Sequence, residues 1–249
     1  MKTLLWKMLF IVNASPYLTG QKFGKHVYVQ NRLNWYAAQQ YCQTNYADLS
    51  PLSTSWEEKQ LRKATLGKVS GEFWIGLYKT GTYWKWSGGG YETSIVWDES
   101  QPSTYYNLFV RVCWDGCTTG TGWFGSSPLR ELPFFCFSTT VMEEKMAWEE
   151  ALEYCKETHT TLTSLTSETE NLLTLKEIQQ GTVTDRVWIG LCFLADRWVW
   201  VDGSPLIYEA WSVGDREHQC PGRNYCGAIN KNGVWENLDC KEKLSFICV

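Results

Sequence analysis

Beyond its opening residues the 249-residue chain has no stretch approaching the about 18 uninterrupted apolar residues that a membrane-spanning helix needs. Histidine is scarce, with only His26, His159 and His218, and neither an HExxH nor a G-x-S-x-G pattern occurs. No nucleophile with its base and no zinc-activated water can be assembled from such a sequence. Basic charge is not in excess either: 23 Lys and Arg stand against 27 Asp and Glu, for a net charge of −4. A nucleic-acid partner or an anionic membrane would call for a basic face, and none is advertised. The glycine-bearing stretches SGGGY and TTGTGW lack the Lys and the helix that follow a phosphate-binding loop. Together these absences exclude the common catalytic classes and predict that the chain is not an enzyme.

What is present begins with a leader-like opening. MKTLLWKMLFIVNASPYLTG carries Lys2, an apolar run at residues 8–12 and small residues near Ala14 and Gly20, as a secretory signal peptide would over residues 1–20. Ten cysteines, even in number and widely spaced, suit disulfides formed in an oxidising, extracellular compartment. Zinc would want matched close pairs, and the nearest approach, Cys113 and Cys117, stands alone. The acidity is uneven, with 11 basic and 9 acidic residues over 21–138 but 10 and 18 from 139 onward. Much of it lies in MEEKMAWEEALEYCKE, where Glu149, Glu153 and Glu157 recur every fourth residue as a solvated helix face.

The aromatic content is high, with 15 tryptophans, and it is not randomly placed. WIGLYKTGTYWKW at residues 74–86 is restated as WIGLCFLADRWVW at 188–200. Sliding the chain on itself by 112 to 114 residues aligns WYAAQQYC (35–42) with WEEALEYC (148–155) and LSPL (49–52) with LTSL (162–165). The same offset pairs Trp74 with Trp188, Trp84 with Trp198, Trp97 with Trp211, Cys113 with Cys226, Trp123 with Trp235 and Cys136 with Cys248. The repeat predicts two homologous domains, at residues 24–137 and 141–249, of ordinary size for independent cores.

Within each unit Trp, Ala and Cys at i, i+3 and i+7 (Trp35, Ala38, Cys42; Trp148, Ala151, Cys155) mark one face of an amphipathic helix. A second helix is predicted at 55–66 and at 167–179, each opened by a serine that can cap its first turn, Ser55 and Ser167. Short β-rich runs and glycine-bearing loops follow, so each unit reads as α+β, helices first and a small antiparallel sheet with a long loop afterward.

A Trp-bearing helix ending in Cys, then WIGL, a W-x-W pair, a long irregular loop, a mid-sheet Cys, a Trp turn and a terminal F-x-C strand resembles the C-type lectin-like domain, twice over, across residues 25–249. The resemblance implies that Trp74, Trp84, Trp188 and Trp198 fill the core, leaving loop rings such as Tyr105, Tyr106 and Trp211 to stack on sugars. It implies disulfides Cys42–Cys136 and Cys155–Cys248, and an inner bridge Cys226–Cys240. In the first unit the corresponding partner of Cys113 is replaced by Pro128, so Cys117 is the nearby alternative, and Cys192 with Cys220 is left as a fifth pair. Each such loop closure contributes about 2 to 4 kcal/mol.

Sugar-binding members of that family hold calcium in the long loop through a Glu-Pro-Asn or Gln-Pro-Asp triplet, a later acid, and an Asn-Asp after the Trp turn. The first unit keeps Gln101 and Pro102 but has Ser103 in the third place, Arg111 where the acid belongs, and Phe124 and Gly125 after the turn. The second has no Pro-centred triplet, although Asp215, Glu217, Asn224, Glu236 and Asn237 could supply oxygens and Arg216 could neutralise the neighbouring acids. Calcium wants six to eight oxygens, so no cofactor is assigned, and the second unit is the better candidate for a weak calcium site. The resemblance implies a secreted glycan-binding protein with degenerate calcium motifs; the alternative is calcium-independent recognition of a protein through the long loops.

Overall fold

The computed structural model describes residues 20–92, 108–118, 120–212 and 222–249. Its first half runs β1 (Gln21–Phe23), β2 (His26–Leu33), α1 (Trp35–Asn45), β3 (Asp48–Leu49), α2 (Ser55–Ala64), β4 (Gly71–Thr80), β5 (Tyr83–Trp86), β6 (Tyr91–Glu92), β7 (Phe109–Trp114), β8 (Gly122–Ser126) and β9 (Leu132–Phe137). The second runs β10 (Thr140–Met146), α3 (Trp148–Thr158), α4 (Glu168–Gln180), β11 (Arg186–Leu194), β12 (Arg197–Trp200), β13 (Cys226–Asn230), β14 (Trp235–Leu238) and β15 (Leu244–Cys248). The first-half strands form one sheet, with β1-β2-β9-β4-β5-β6 in order and β7 bridging β4 to β8; the second-half strands form another, β10-β15-β11-β13-β14, with β12 on β11.

The architecture is α+β, but two expectations need correction: each sheet is mixed and not purely antiparallel, since β4 runs parallel to β9 and β11 to β15, and the helices do not come first. In each half a strand precedes the first helix and pairs antiparallel with the last strand, Val27 opposite Cys136 and Val141 opposite Ile247. The middle of β10 is Glu143, Glu144 and Lys145, and all three are exposed. Charges of this kind suit an edge strand and hide its alternation.

The WIGL strand is central in both sheets. It runs parallel to the last strand, Trp74 opposite Phe134 and Trp188 opposite Phe246, and antiparallel to β7 or β13. Its tryptophan and the helix tryptophan make a reciprocal pair of bonds. Trp35 Nε1 donates to Ile75 O at 2.9 Å while Trp74 Nε1 donates to Leu33 O at 3.1 Å. In the second half Trp148 donates to Ile189 O at 2.8 Å and Trp188 to Met146 O at 3.0 Å. Two large rings are thereby buried without orphaning an indole N–H, fixing helix to sheet. The glycine of each WIGL admits the backbone of the LSPL or LTSL segment: a Cβ on Gly190 would stand 2.8 Å from Leu162 O, and one on Gly76 3.0 Å from Leu49 O.

Trp74, Trp188 and Trp198 are buried, but Trp84 is only half-buried, packing on the rim of the core with Lys79 Nζ 5.8 Å from its ring centre. The deeper ring of each W-x-W pair is the second, Trp86 and Trp200, which close against Trp123 and Trp235. Those turn tryptophans are held in turn by the second helix, Trp123 Nε1 donating to Glu58 at 3.1 Å and Trp235 Nε1 to Asn171 at 2.8 Å. That helix is capped by Thr54 in the first half, one residue before Ser55, and by Ser167 in the second. Disulfides join Cys42 to Cys136, Cys155 to Cys248, Cys226 to Cys240 and Cys113 to Cys117.

The hydrophobic clusters are confined to one half or the other. The halves touch through the loop after β5, where Gly88 and Gly89 lie against Leu173 and Leu172 of α4, and Thr169 Oγ1 donates to Gly89 O at 2.8 Å. Beside this contact the Lys25 ammonium is buried between two carboxylates, 2.6 Å from Glu170 and 3.2 Å from Glu57. The two acids stand 113 residues apart and each accepts the backbone N–H four residues upstream, from Ser53 and Thr166.

Candidate functional site

The strand pairs β7–β8 and β13–β14 form the flank on which each long loop returns to its sheet. In the first half Arg111 lies directly opposite Phe124. Its guanidinium is buried, 2.5 Å from the Glu72 carboxylate on β4 and 4.6 Å from the centre of the Phe124 ring. Burial pulls the guanidinium pKa below its ordinary value, against the opposing pull of Glu72. Arg130 pairs with the same carboxylate from outside. The sheet register corrects the expected match of Cys113 with Cys226: Arg111 is level with Ala228, since Trp74 and Phe124 flank the one as Trp188 and Glu236 flank the other, and Phe109, opposite Tyr78, takes the place of Cys226, opposite Cys192.

The second half repeats this arrangement with the signs exchanged. Arg186, 114 residues after Glu72, is flanked by Glu242 at 3.0 Å and Glu236 at 4.0 Å; Glu236 and Glu242 stand 112 residues after Phe124 and Arg130. Glu236 is further engaged by Asn230 Nδ2, which donates to its Oε1 at 2.7 Å. Successive strand side chains point to opposite faces, so Glu236 takes the face of Ala228 and Arg186 while Asn237, opposite Gly227, takes the other. Asn224 is half-buried just ahead of β13, and the buried Nδ2 of Asn237 has no hydrogen-bond partner among the described residues. Glu236 and Asn237 lie within β14 and do not cap a turn.

Gln101, Pro102, Ser103, Asp215 and Glu217, with Tyr105, Tyr106 and Arg216, lie outside the described residues, as does Cys220 and with it the Cys192–Cys220 pairing. Cys192 is half-buried on β11, and burial pushes its thiol pKa up. Trp211 is half-buried and packs on Trp198 and Trp235, with ring centres 5.0 Å and 5.7 Å away. Among the described residues no group of three or more His, Cys, Asp or Glu converges to hold a metal ion. Of the described flank residues, Phe124 and Gly125 bring no side-chain oxygen and Glu236 is held by Asn230. The ion-pair residues Glu72, Arg130, Arg186 and Glu242 were not singled out from sequence. The repeat offset contained the signal, because it aligns Glu72 with Arg186 and Arg130 with Glu242.

A fold with a central WIGL strand, helix-to-sheet tryptophan bonds and long loops returning onto a two-stranded flank defines a binding scaffold. The C-type lectin domain model matches residues 31–107 and 144–249, and the chain belongs to that family. It is a binding protein and not an enzyme. It is similar to the secretory phospholipase A2 receptor of the rabbit Oryctolagus cuniculus, 24% identical over 265 residues, which span 91% of this chain but 18% of the receptor. Rheacalcin-1 of Rhea americana is 32% identical over 113 residues, 42% of this chain and 81% of that protein. Among solved structures human lithostathine aligns with a TM-score of 0.41 and 26% identity, covering 44% of this chain and 88% of its own. No helix among the described residues is long and apolar enough to cross a membrane.

Proposed function

We propose that this chain is a secreted recognition protein of two consecutive C-type lectin-like domains, residues 24–137 and 141–249 behind a leader at 1–20, which binds glycans without the family's calcium ion. The leader-like opening and the even set of ten cysteines support secretion. The repeated tryptophan bonds and the separate hydrophobic clusters support two domains. The observation that carries the calcium-free reading is the pair after the Trp turn: Phe124 and Gly125 stand at the register of Glu236 and Asn237 and bring no side-chain oxygen, and the buried, ion-paired Arg111 over the Phe124 ring adds positive charge beside them. In the second domain Glu236 is already engaged by Asn230 and Arg186.

The second reading is recognition of a protein surface by the same long loops. It is favoured by the likeness to the rabbit protein, which is named a receptor for a secretory phospholipase A2, itself a protein. Display of the full chain on an array of neutral and acidic glycans, in chelator and in millimolar calcium, separates the readings. Glycan binding equal in both buffers supports the first; binding only in calcium overturns it, and no glycan binding in either favours the protein ligand.

A further inference from the structure

The first-half sheet carries an aromatic row that runs from the core out to solvent. Four residues on adjacent strands are Cα partners in one line across the sheet: Phe109 on β7 opposite Tyr78 on β4, Tyr78 opposite Lys85 on β5, and Lys85 opposite Tyr91 on β6. Directly opposed residues share a face and stand about one strand spacing, ~4.8 Å, apart. At one end Tyr36 of α1 stands edge-on to Phe109 with centres 5.3 Å apart; at the other Tyr83, two residues before Lys85 on the same face, stands edge-on to Tyr91 at 5.8 Å. Between them Tyr78 lies parallel to Phe109, and Lys85 Nζ is 5.9 Å from the centre of the Tyr91 ring.

Tyr36, Tyr83 and Tyr91 are 55%, 67% and 62% exposed, so at both ends large rings are left to solvent. The equivalents of Tyr36, Tyr78, Tyr83 and Lys85 in the second half are Glu149, Cys192, Arg197 and Val199. Phe109 and Tyr78 pack on Trp35 at 4.8 Å and 5.5 Å and belong to the core, but the same scaffold stands without the exposed rings, and core packing does not account for those.

We propose that this row is a binding surface for an acidic saccharide, a short chain of pyranose rings bearing sulfate or carboxylate groups. Exposed tyrosine rings offer flat apolar faces to the C–H faces of sugar rings, and their hydroxyls remain available to sugar hydroxyls. Lys85, the one charged side chain of the row, places an ammonium where an anionic substituent gains a charge-assisted hydrogen bond. Glu92 does not oppose it on this face: it is opposite Trp84 and accepts from Trp86 Nε1 at 3.2 Å. The surface is carried by strands β4 to β6 and not by the long loops, so it goes beyond the calcium-free loop recognition proposed above.

The test is calorimetric titration of the full chain, in chelator, with a sulfated hexasaccharide, its desulfated counterpart and a short polyglutamate. The expected result is binding of the sulfated sugar, at least tenfold weaker for the desulfated one, for Lys85→Glu and for Tyr91→Ser, and unchanged for Tyr225→Ser, an exposed ring of the second half. Retained melting temperatures show that the variants fold. Polyglutamate bound as tightly as the sugar would assign the surface to an acidic protein and overturn the proposal, as would no sugar binding. Sugar binding left intact by both row variants would overturn it too, while leaving glycan recognition through the loops standing.

Discussion

The buried charge of the first-half flank is Arg111. A buried guanidinium facing a carboxylate and lying over an aromatic ring has exchanged hydration for those partners, and taking it away strands the acid. Arg111→Ala should destabilise the protein by about 2 to 4 kcal/mol in urea unfolding, since breaking a buried pair leaves an uncompensated charge, with Arg130 supplying part of the compensation. The double variant Arg111→Ala, Glu72→Gln should cost less than the sum of its two singles; strict additivity would contradict the pairing. The tryptophans make the same point about context. Composition revealed that large rings were abundant, but not that the helix and strand tryptophans exchange bonds with one another's flanking carbonyls. Such bonds depend on the backbone of a partner element 40 residues away.

Among the elements, those with strong internal periodicity were legible: the Trp-Ala-Cys face of α1 and α3 and the short apolar runs of β4 and β11 could be read directly. The strands that open each half were not. In β10 the edge position favours charge over alternation, and in β2 only the first four residues are buried while the next three are exposed. Helix starts were legible to within one residue. At α2 two adjacent hydroxyl residues compete for the cap, and Thr54 wins because its extended backbone lets its oxygen accept from Glu57 N at 3.0 Å. Thr54→Ala should therefore cost about 1 kcal/mol, whereas Ser55→Ala should change stability by only a few tenths. Equal losses would mean that the cap is shared. The ligand loops were legible only as motifs, since a long loop has no period to read and its function depends on which oxygens converge.

At the scale of the whole molecule, the Lys25 cluster ties the two halves together. Glu170 is pushed up to about 7, first by burial and then by the nearby Glu57 charge, with Lys25 pulling the other way. His26, 3.1 Å from Glu57 and hydrogen-bonded to Ser50, is pushed down to about 3 by burial and by Lys25. Asp202 of the second half also acts on Lys25, whose pKa is held above its ordinary value by Glu170 and Glu57 despite burial. A glutamate raised from 4.5 contributes stability that is full below about pH 4.5 and lost as pH rises through about 7; His26 contributes the reverse, full above 6.5 and lost as pH falls toward 3. Glu170→Gln removes the first slope and leaves the second. Between pH 5 and pH 8 the melting temperature of the parent should fall relative to that of the variant, and parallel curves would contradict a proton held at this contact.

Ion pairs and rings fill the flanks of both halves, Arg111 with Glu72 and Phe124 in the first and Arg186 with Glu236 and Glu242 in the second, and the calcium-free recognition proposed above requires that neither half take up the ion. Calorimetric titration of the intact chain with calcium, paired with its melting temperature in chelator, addresses that claim most directly. A bound ion at a hundred times its dissociation constant would stabilise by about 2.7 kcal/mol, a shift of several degrees for either half. The prediction is no heat of binding and no shift at millimolar calcium. A saturable heat accompanied by a rise of several degrees would contradict it.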